Sequence, residues 1–252
     1  MTVSPSHIDE ILKAGKSLAD ELDRLTFSPP VYLTYNVFRF AWSGHETFVR
    51  RYCKRGTEVL LLGMNPGPWG MTQTGVPFGE VPAVRDWMGI CATIDRPPVE
   101  HPKRPVQGFD CPRSEVSGRR LWGLFAERFG EPDNFFAKHF VSNYCPLVFM
   151  EEGGKNITPD KLRSSEAEPV ERACDAYLAR LVELLEPKWV LGIGKYALKQ
   201  AERALSGANI TFASILHPSP ASPAANKGWA EAAEKTFLDL GVWPSAVSAD
   251  KG

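Results

Sequence analysis

Short apolar runs alternate with longer amphipathic segments along most of the chain. Four of the apolar runs have the length and composition of buried parallel strands: Glu58–Met64, His139–Asn143, Trp189–Ile193 and Ile210–Leu216. Apolar residues at helical spacing predict helices over Ile8–Leu25, Gly118–Phe129, Pro169–Leu185, Tyr196–Leu205 and Ala224–Leu240. Because strands that alternate with helices build a parallel sheet covered on both faces, we expect an α/β fold.

The segments between these elements give few signs of a domain boundary. Arg96–Pro112 is rich in proline, which predicts an irregular loop. The chain has no internal repeat and no long linker, so its 252 residues are predicted to form one domain over residues 1–244. Residues 245–252 are predicted to be a flexible tail.

Composition narrows the class of protein. Hydrophobic residues make up 43% and charged residues 23%, and no apolar run is long enough to span a membrane, so a globular protein is expected. The N-terminus lacks the pattern of a secretory signal, so we expect a cytosolic location or, in a eukaryote, a nuclear one. The five cysteines stand singly, which argues against disulfides and structural zinc; we expect neither a metal nor a cofactor.

The charge pattern is ambiguous about nucleic acid. A formal net charge of −1 counts mildly against a DNA-binding protein. Local basic clusters exist nevertheless: Arg50, Arg51, Lys54 and Arg55; Lys103 and Arg104; Arg113, Arg119 and Arg120. Taken alone, each cluster is more typical of a solvated face than of a phosphate contact.

Ligands of open parallel sheets bind at the carboxyl ends of the strands, which directs attention to the segments that follow them. The first strand leads into a loop dense in glycine and proline that contains Asn65 and is closed by Phe78. A plain turn is one interpretation of such a loop. A P-loop is excluded because no G-K-[ST] follows, and a dinucleotide site because G-x-G-x-x-G is absent.

Two further polar side chains stand at the ends of the second and fourth strands. Asn143 can be a turn residue, but its amide can also pair with the O4 and N3–H edge of uracil, which cytosine does not match. His217 precedes three spaced prolines, and its place on the predicted active edge favours a functional role over a structural one. The rigid loop after it leads into a helix whose N-terminus can bind phosphate, although Ser222 can serve simply as a helix cap.

Taken in order, these motifs resemble those of the single-strand-selective monofunctional uracil-DNA glycosylases, which belong to the uracil-DNA glycosylase superfamily. The matching segments are G-M-N-P-G-P-W-G-M at Gly63–Met71, T-G-V-P-F-G at Thr74–Gly79, S-N-Y-C-P-L at Ser142–Leu147, G-K-N-I-T-P at Gly154–Pro159, H-P-S-P at His217–Pro220 and A-N-K-G at Ala225–Gly228. The resemblance implies a three-layer α/β/α fold with a central four-stranded parallel sheet, and excision of uracil from DNA in base excision repair.

The resemblance also implies a role for each matched residue. Asn65 would position the attacking water, and His217 would stabilise negative charge on O2 of the base. Phe78 would stack on the extruded base, and Asn143 would bind its Watson–Crick edge. The other implied substrate-binding residues are Gly63, Met64, Gly67 and Met71, of which the last two would lie near C5, where this family tolerates oxidised substituents.

The loop after His217 would bind DNA through five residues: Ser219, Ala221, Ser222, Asn226 and Lys227. Vertebrate relatives carry an arginine at the position of Ala221, in the wedge that enters the duplex. A small apolar residue fills the vacated base stack poorly, which counts against activity on duplex relative to single-stranded DNA.

These residues predict a hydrolysis without a carboxylate base, because neither matched loop supplies Asp or Glu beside Asn65 or His217. The bond would break first, giving an oxocarbenium-like sugar and a uracil anion. No lysine in the matched motifs is placed to form a Schiff base, so no strand cleavage is expected. We expect a monomer acting on single- and double-stranded DNA, with Arg113, Arg119, Arg120 and Lys227 as possible phosphate contacts.

Three alternatives stay open at this point. The first is a non-catalytic nucleic-acid-binding protein that uses the same cleft. The second is a hydrolase of free nucleosides or of another small phosphate-containing ligand, which the basic residues disfavour. The third is a glycosylase for another deaminated base, hypoxanthine or xanthine.

Overall fold

The computed structural model describes residues 6–244. Strands in this range are β1 (Leu33–Asn36), β2 (Val59–Gly63), β3 (His139–Asn143), β4 (Leu147–Met150), β5 (Asn156–Ile157), β6 (Trp189–Ile193) and β7 (Thr211–Ile215). Helices are α1 (His7–Leu22), α2 (Val37–Phe40), α3 (Trp42–Tyr52), α4 (Met71–Thr74), α5 (Val116–Phe129), α6 (Pro132–Phe136), α7 (Ser164–Leu185), α8 (Lys195–Ala204) and α9 (Trp229–Asp239). The predicted tail at residues 245–252 lies outside the described residues, and the single domain over residues 1–244 stays a prediction.

A four-stranded parallel sheet in the order β3-β2-β6-β7 forms the centre of the fold. Every residue of β2 and β3 is buried, because helices cover both faces of the sheet. The predicted α/β class and four-stranded parallel sheet are therefore confirmed. His139–Asn143 and Trp189–Ile193 match the predicted bounds, and the other two strands are one residue shorter at each end.

The helix predictions hold for most of the chain, with one that is wrong. The predicted continuous helix Ala224–Leu240 is instead a 3₁₀ turn at Ala225–Lys227 followed by α9. Gly228 separates the two with a φ of 133°, a conformation that no helix contains. The first helix begins at its Ser6 cap, whose side chain accepts from the backbone N–H of Asp9.

A second, antiparallel sheet in the order β1-β4-β5 was not predicted from the sequence. Its strand β4 begins four residues after Asn143, the last residue of β3. A short loop at the carboxyl end of β3 therefore joins the two sheets. Residue Leu33 pairs with Met150 and Asn36 with Leu147, a register that only the folded chain reveals. This sheet brings Asn156 and Thr158 to the carboxyl edge of the central sheet.

No helix within residues 6–244 combines the length and the apolar character needed to cross a bilayer.

Candidate active site

A cavity of about 320 Å³ opens at the carboxyl ends of β2 and β3, beside the loop that follows β7. This is the edge of the sheet where the sequence predicted a site. The cavity is lined by Met64, Asn65, Pro66, Gly67, Phe78, Glu115, Ser117, Asn143, Asn156, Thr158, His217 and Ser219.

Asn65 is oriented by the strand that follows Asn143. Its Nδ2 donates a hydrogen bond of 2.9 Å to the backbone carbonyl of Leu147. Because that carbonyl can only accept, the amide cannot rotate without losing the bond. Its Oδ1 is buried and has no hydrogen-bond partner among residues 6–244, so the side chain offers an acceptor that a water molecule can fill.

His217 lines the same cavity as an uncharged hydrogen-bond donor. The backbone N–H of Ser219 donates to its Nδ1 at 3.1 Å, which places the ring proton on Nε2. Burial lowers the pKa of His217 to about 4, so the imidazole is neutral at physiological pH. The Nε2–H has no hydrogen-bond partner among residues 6–244, and a neutral imidazole with such a donor can stabilise an oxyanion without first having to lose or gain a proton.

Phe78 is held in a strained backbone conformation that aims its ring at the cavity. Its φ is +53°, a value that residues other than glycine and asparagine rarely adopt. The indole of Trp122 donates to its carbonyl at 3.0 Å and fixes that conformation. The residue is 8% exposed, and its ring lies 6.0 Å from the ring of His217, centre to centre.

Asn143 also lines the cavity, and it pairs in register with Gly63 of the neighbouring strand β2. Its Nδ2 contacts the sulfur of Met71 at 3.3 Å, and its Oδ1 is buried without a partner among the described residues. A sulfur is a weak acceptor, so the amide can exchange this contact for the edge of a base. Gly63 and Met71 thus lie behind the predicted recognition residue, and neither lines the cavity itself.

Five lining residues had no role assigned from the sequence: Pro66, Glu115, Ser117, Asn156 and Thr158. The Oδ1 of Asn156 is buried and lacks a partner within residues 6–244, like those of Asn65 and Asn143. Asn156 and Thr158 lie in the motif G-K-N-I-T-P, which is one of the segments that resemble the family. That motif could have indicated both residues as part of the site. Nothing in the sequence placed Glu115 near Asn65.

The loop after His217 is rigid through local hydrogen bonds. The Oγ of Ser219 accepts from the N–H of Ala221 at 3.1 Å, and the Oγ of Ser222 accepts from the N–H of Ala225 at 3.4 Å. Ser222 thus accepts from the first residue of the short 3₁₀ turn, but the N-cap position itself is Ala224, whose side chain makes no capping bond. Ala221, Asn226 and Lys227 are exposed on the outer side of this loop.

The basic clusters differ in what their side chains contact. Arg50, Lys54 and Arg55 form ion pairs with Asp9 and Glu46, with Asp133 and with Glu186, respectively. Arg104 and Arg113 come from separate clusters but both lie over the ring of Trp69, with guanidinium carbons 5.2 and 5.4 Å from its centre. Trp69 follows the cavity residue Gly67 by two positions, so these two guanidinium groups lie against the loop that carries Asn65.

Within residues 6–244, no group of three or more His, Cys, Asp or Glu side chains is arranged to hold a metal ion.

Comparison with known proteins places this chain in a family. The model of the uracil DNA glycosylase superfamily matches residues 50–240, a range that includes every residue lining the cavity. The chain belongs to this superfamily. Solved structures agree on the fold: a crystal structure of Pedobacter heparinus SMUG2 matches with a TM-score of 0.64, covering 89% of this chain and 97% of that one at 17% identity.

Curated relatives narrow the position of the chain within the uracil DNA glycosylase superfamily. The single-strand selective monofunctional uracil-DNA glycosylase of Rattus norvegicus is 50% identical over 226 residues, which are 89% of this chain and 81% of that protein. The corresponding protein of Bos taurus is 47% identical over 248 residues, which are 97% and 91% of the two chains. The resemblance noted in the motifs is therefore confirmed over most of the chain.

Proposed function

We propose that this protein is a monofunctional DNA glycosylase that hydrolyses the N-glycosidic bond of uracil in DNA and leaves an abasic site for base excision repair. The observation that carries the proposal is the pairing of an unfilled acceptor, the Oδ1 of Asn65, with a free donor, the Nε2–H of His217, in one cavity. The names of the curated relatives support uracil as the base.

The reaction divides between these two groups. The C1′–N1 bond breaks with its electron pair moving to the base, and the Nε2–H of His217 stabilises the charge that develops on O2. Loss of such a donor typically costs about 10²–10³ in rate. The Oδ1 of Asn65 holds water against the sugar cation, which is a proximity effect.

The base must leave the stack to enter the cavity, which costs a few kcal/mol in a duplex and less in a single strand. Stacking on Phe78, worth about 1–3 kcal/mol, and hydrogen bonds to Asn143 offset that cost. The amide of Asn143 has its oxygen free and its nitrogen bound only to sulfur, so it can accept from N3–H and donate to O4 of uracil. Cytosine presents the reverse pattern at these two positions.

Further parts of the proposal rest on the family resemblance. They are excision of C5-oxidised uracils, with Gly67 on the C5 side of the cavity, action on single- and double-stranded DNA, and DNA contacts by Ser219, Ala221, Ser222, Asn226 and Lys227. We also propose a monomer that acts in the cytosol or nucleus, wherever the cell keeps its DNA.

The test is incubation of the purified protein, with EDTA, on labelled oligonucleotides carrying one uracil as single strand, U:G and U:A. Cleavage only after alkali, abolished in Asn65→Ala and retained in the exposed control Asn209→Ala, is the expected result. DNA binding should survive in Asn65→Ala. Binding without cleavage by the unaltered protein would favour a non-catalytic role, and cleavage only of hypoxanthine or xanthine substrates would change the assigned base.

A further inference from the structure

Glu115 places a carboxyl group in the cavity wall, and this group makes no hydrogen bond that would explain it structurally within residues 6–244. It stands at the N-cap position of α5 but caps no backbone N–H. Its Oε2 is buried and lacks a hydrogen-bond partner among residues 6–244. A buried carboxyl oxygen without a partner costs stability, so its presence in a cavity wall calls for a functional explanation.

The carboxyl packs against the loop that carries Asn65. A Cβ built on Gly70 would lie 2.1 Å from the Oε2 of Glu115, and one built on Gly67 would lie 2.9 Å from its Oε1. Gly67 follows Asn65 by two residues and lines the same cavity. The absence of side chains at these two glycines therefore lets the carboxyl pack directly against the loop that carries Asn65, in the wall of the cavity that Asn65 also lines.

The electrostatic surroundings tune this group to neutral pH. Burial raises the pKa of Glu115 to about 7, and the nearby charge of Glu80 acts in the same direction. Glu80 accepts a hydrogen bond from Ser114, whose hydroxyl accepts in turn from Arg119 at 3.1 Å. Of the two ionisable groups that line the cavity, His217 is already uncharged at this pH. Two groups whose pKa values are pushed apart in one site are typical of acid–base catalysis.

We propose that Glu115 is a further catalytic residue, which accepts the proton of the water that attacks the sugar. The proposal rests on the glycosylase function above. The electron pair of the C1′–N1 bond passes to the uracil anion, and the water oxygen forms the new bond to C1′. One proton of that water moves to the Glu115 carboxylate, directly or through one further water, and is later released to solvent. The carboxylate charge also stabilises the oxocarbenium cation before the water adds.

Single-turnover rates on a single-stranded uracil oligonucleotide, measured from pH 5.5 to 9, test this role. We expect the rate of the unaltered protein to rise with pH and to level off above about pH 7. Glu115→Gln should lose the rise and be about 10²-fold slower at pH 8, in the range typical of a lost proton acceptor. Glu115→Asp should keep the rise with a smaller loss.

Glu80→Gln provides a second, independent readout. It removes a charge that acts on Glu115, so the midpoint of the pH–rate profile should shift to lower pH, whereas a purely structural role would leave the midpoint where it is. Unchanged rate and profile in Glu115→Gln would overturn the proposal and leave the glycosylase function standing. So would a slow Glu115→Gln together with a flat profile in the unaltered protein. Absence of uracil excision by the unaltered protein is a separate failure, of the proposed function itself.

Discussion

Arg120 donates a hydrogen bond of 2.8 Å to the Oδ1 of Asn226, joining helix α5 to the segment after the cavity loop. Its second donor reaches the carbonyl of Pro218 at 3.0 Å, and the Nδ2 of Asn226 donates to the carbonyl of Pro220 at 2.8 Å. One guanidinium group thus holds both ends of the loop that begins at His217. The predicted phosphate contact by Arg120 is disfavoured, because two of its donors are already committed to protein acceptors.

Arg120→Met should therefore weaken catalysis through the position of His217. The bonds it loses are charge-assisted, each worth about 1.5–3 kcal/mol, and a loosened loop should lower kcat/KM about ten-fold with little change in DNA affinity. Single-turnover kinetics and binding of a uracil oligonucleotide separate the two effects. Arg172→Met, at an exposed position of α7, is the matched control. A loss confined to DNA affinity would return Arg120 to the role of a phosphate contact.

Gly63 leaves the space that two recognition side chains occupy. A Cβ at this position would lie 2.3 Å from the Oδ1 of Asn143 and 2.5 Å from a ring carbon of Phe78. Gly63→Ala should displace both and reduce kcat/KM for uracil by at least about 10²-fold, since misplacement of about 1 Å has that effect. Gly123→Ala, where an added Cβ meets nothing within 4 Å, should retain full activity. Equal activities of the two variants would show that the overlap is relieved without consequence.

The cluster of Arg104 and Arg113 over Trp69 should contact the DNA backbone. Each of Arg104→Gln and Arg113→Gln should reduce the slope of log K against log salt by about one, as the loss of one phosphate contact does. Arg55→Gln, whose side chain pairs with Glu186, should leave the slope unchanged. Fluorescence anisotropy with the inactive Asn65→Ala protein measures these slopes without turnover. Identical slopes for all variants would move the DNA path away from Trp69.

The raised pKa of Glu115 predicts a pH-dependent cost in stability. The carboxyl ionises near pH 4.5 in the unfolded chain but only at about pH 7 in the fold. The contribution of the protonated Glu115 to the free energy of unfolding is therefore fully present below pH 4.5 and is lost as the pH rises through 7. Glu115→Gln does not ionise and should have a higher Tm than the unaltered protein at pH 8, with the difference shrinking toward pH 4.5. Thermal unfolding followed by circular dichroism at several pH values measures this. A difference in Tm that stays constant with pH would contradict it.

The sequence patterns predict the fully buried strands well and the site only in part. His139–Asn143 and Trp189–Ile193 match in both bounds and Val59–Gly63 to within one residue at each end, because an apolar run covered on both faces stands out from its polar flanks. Asn65, Asn143 and His217 follow from the rule that ligands bind at strand ends. Glu115 belongs to no strand end and reaches the cavity only because the N-cap position of α5 packs against the loop that carries Asn65. The four-residue β1 pairs with β4 from more than a hundred residues away, a contact that no local pattern encodes.

Ala221 sits at the exposed tip of the loop whose position Arg120 fixes, so its side chain can be changed without disturbing the cavity. Its side chain is a single methyl group, which is too small to fill the gap left by an extruded base. Ala221→Arg should therefore raise the rate on U:A duplex at least about five-fold, because stacking of a guanidinium offsets about 1 kcal/mol or more of the flipping cost. The rate on single-stranded DNA, where no stack has to be opened, should stay the same. Ala221→Ser, which adds a polar group of small size, is the control and should change neither rate. An equal gain in rate on both substrates would indicate attraction between the added charge and DNA. The limit on duplex activity would then have to arise in a part of the protein other than this loop.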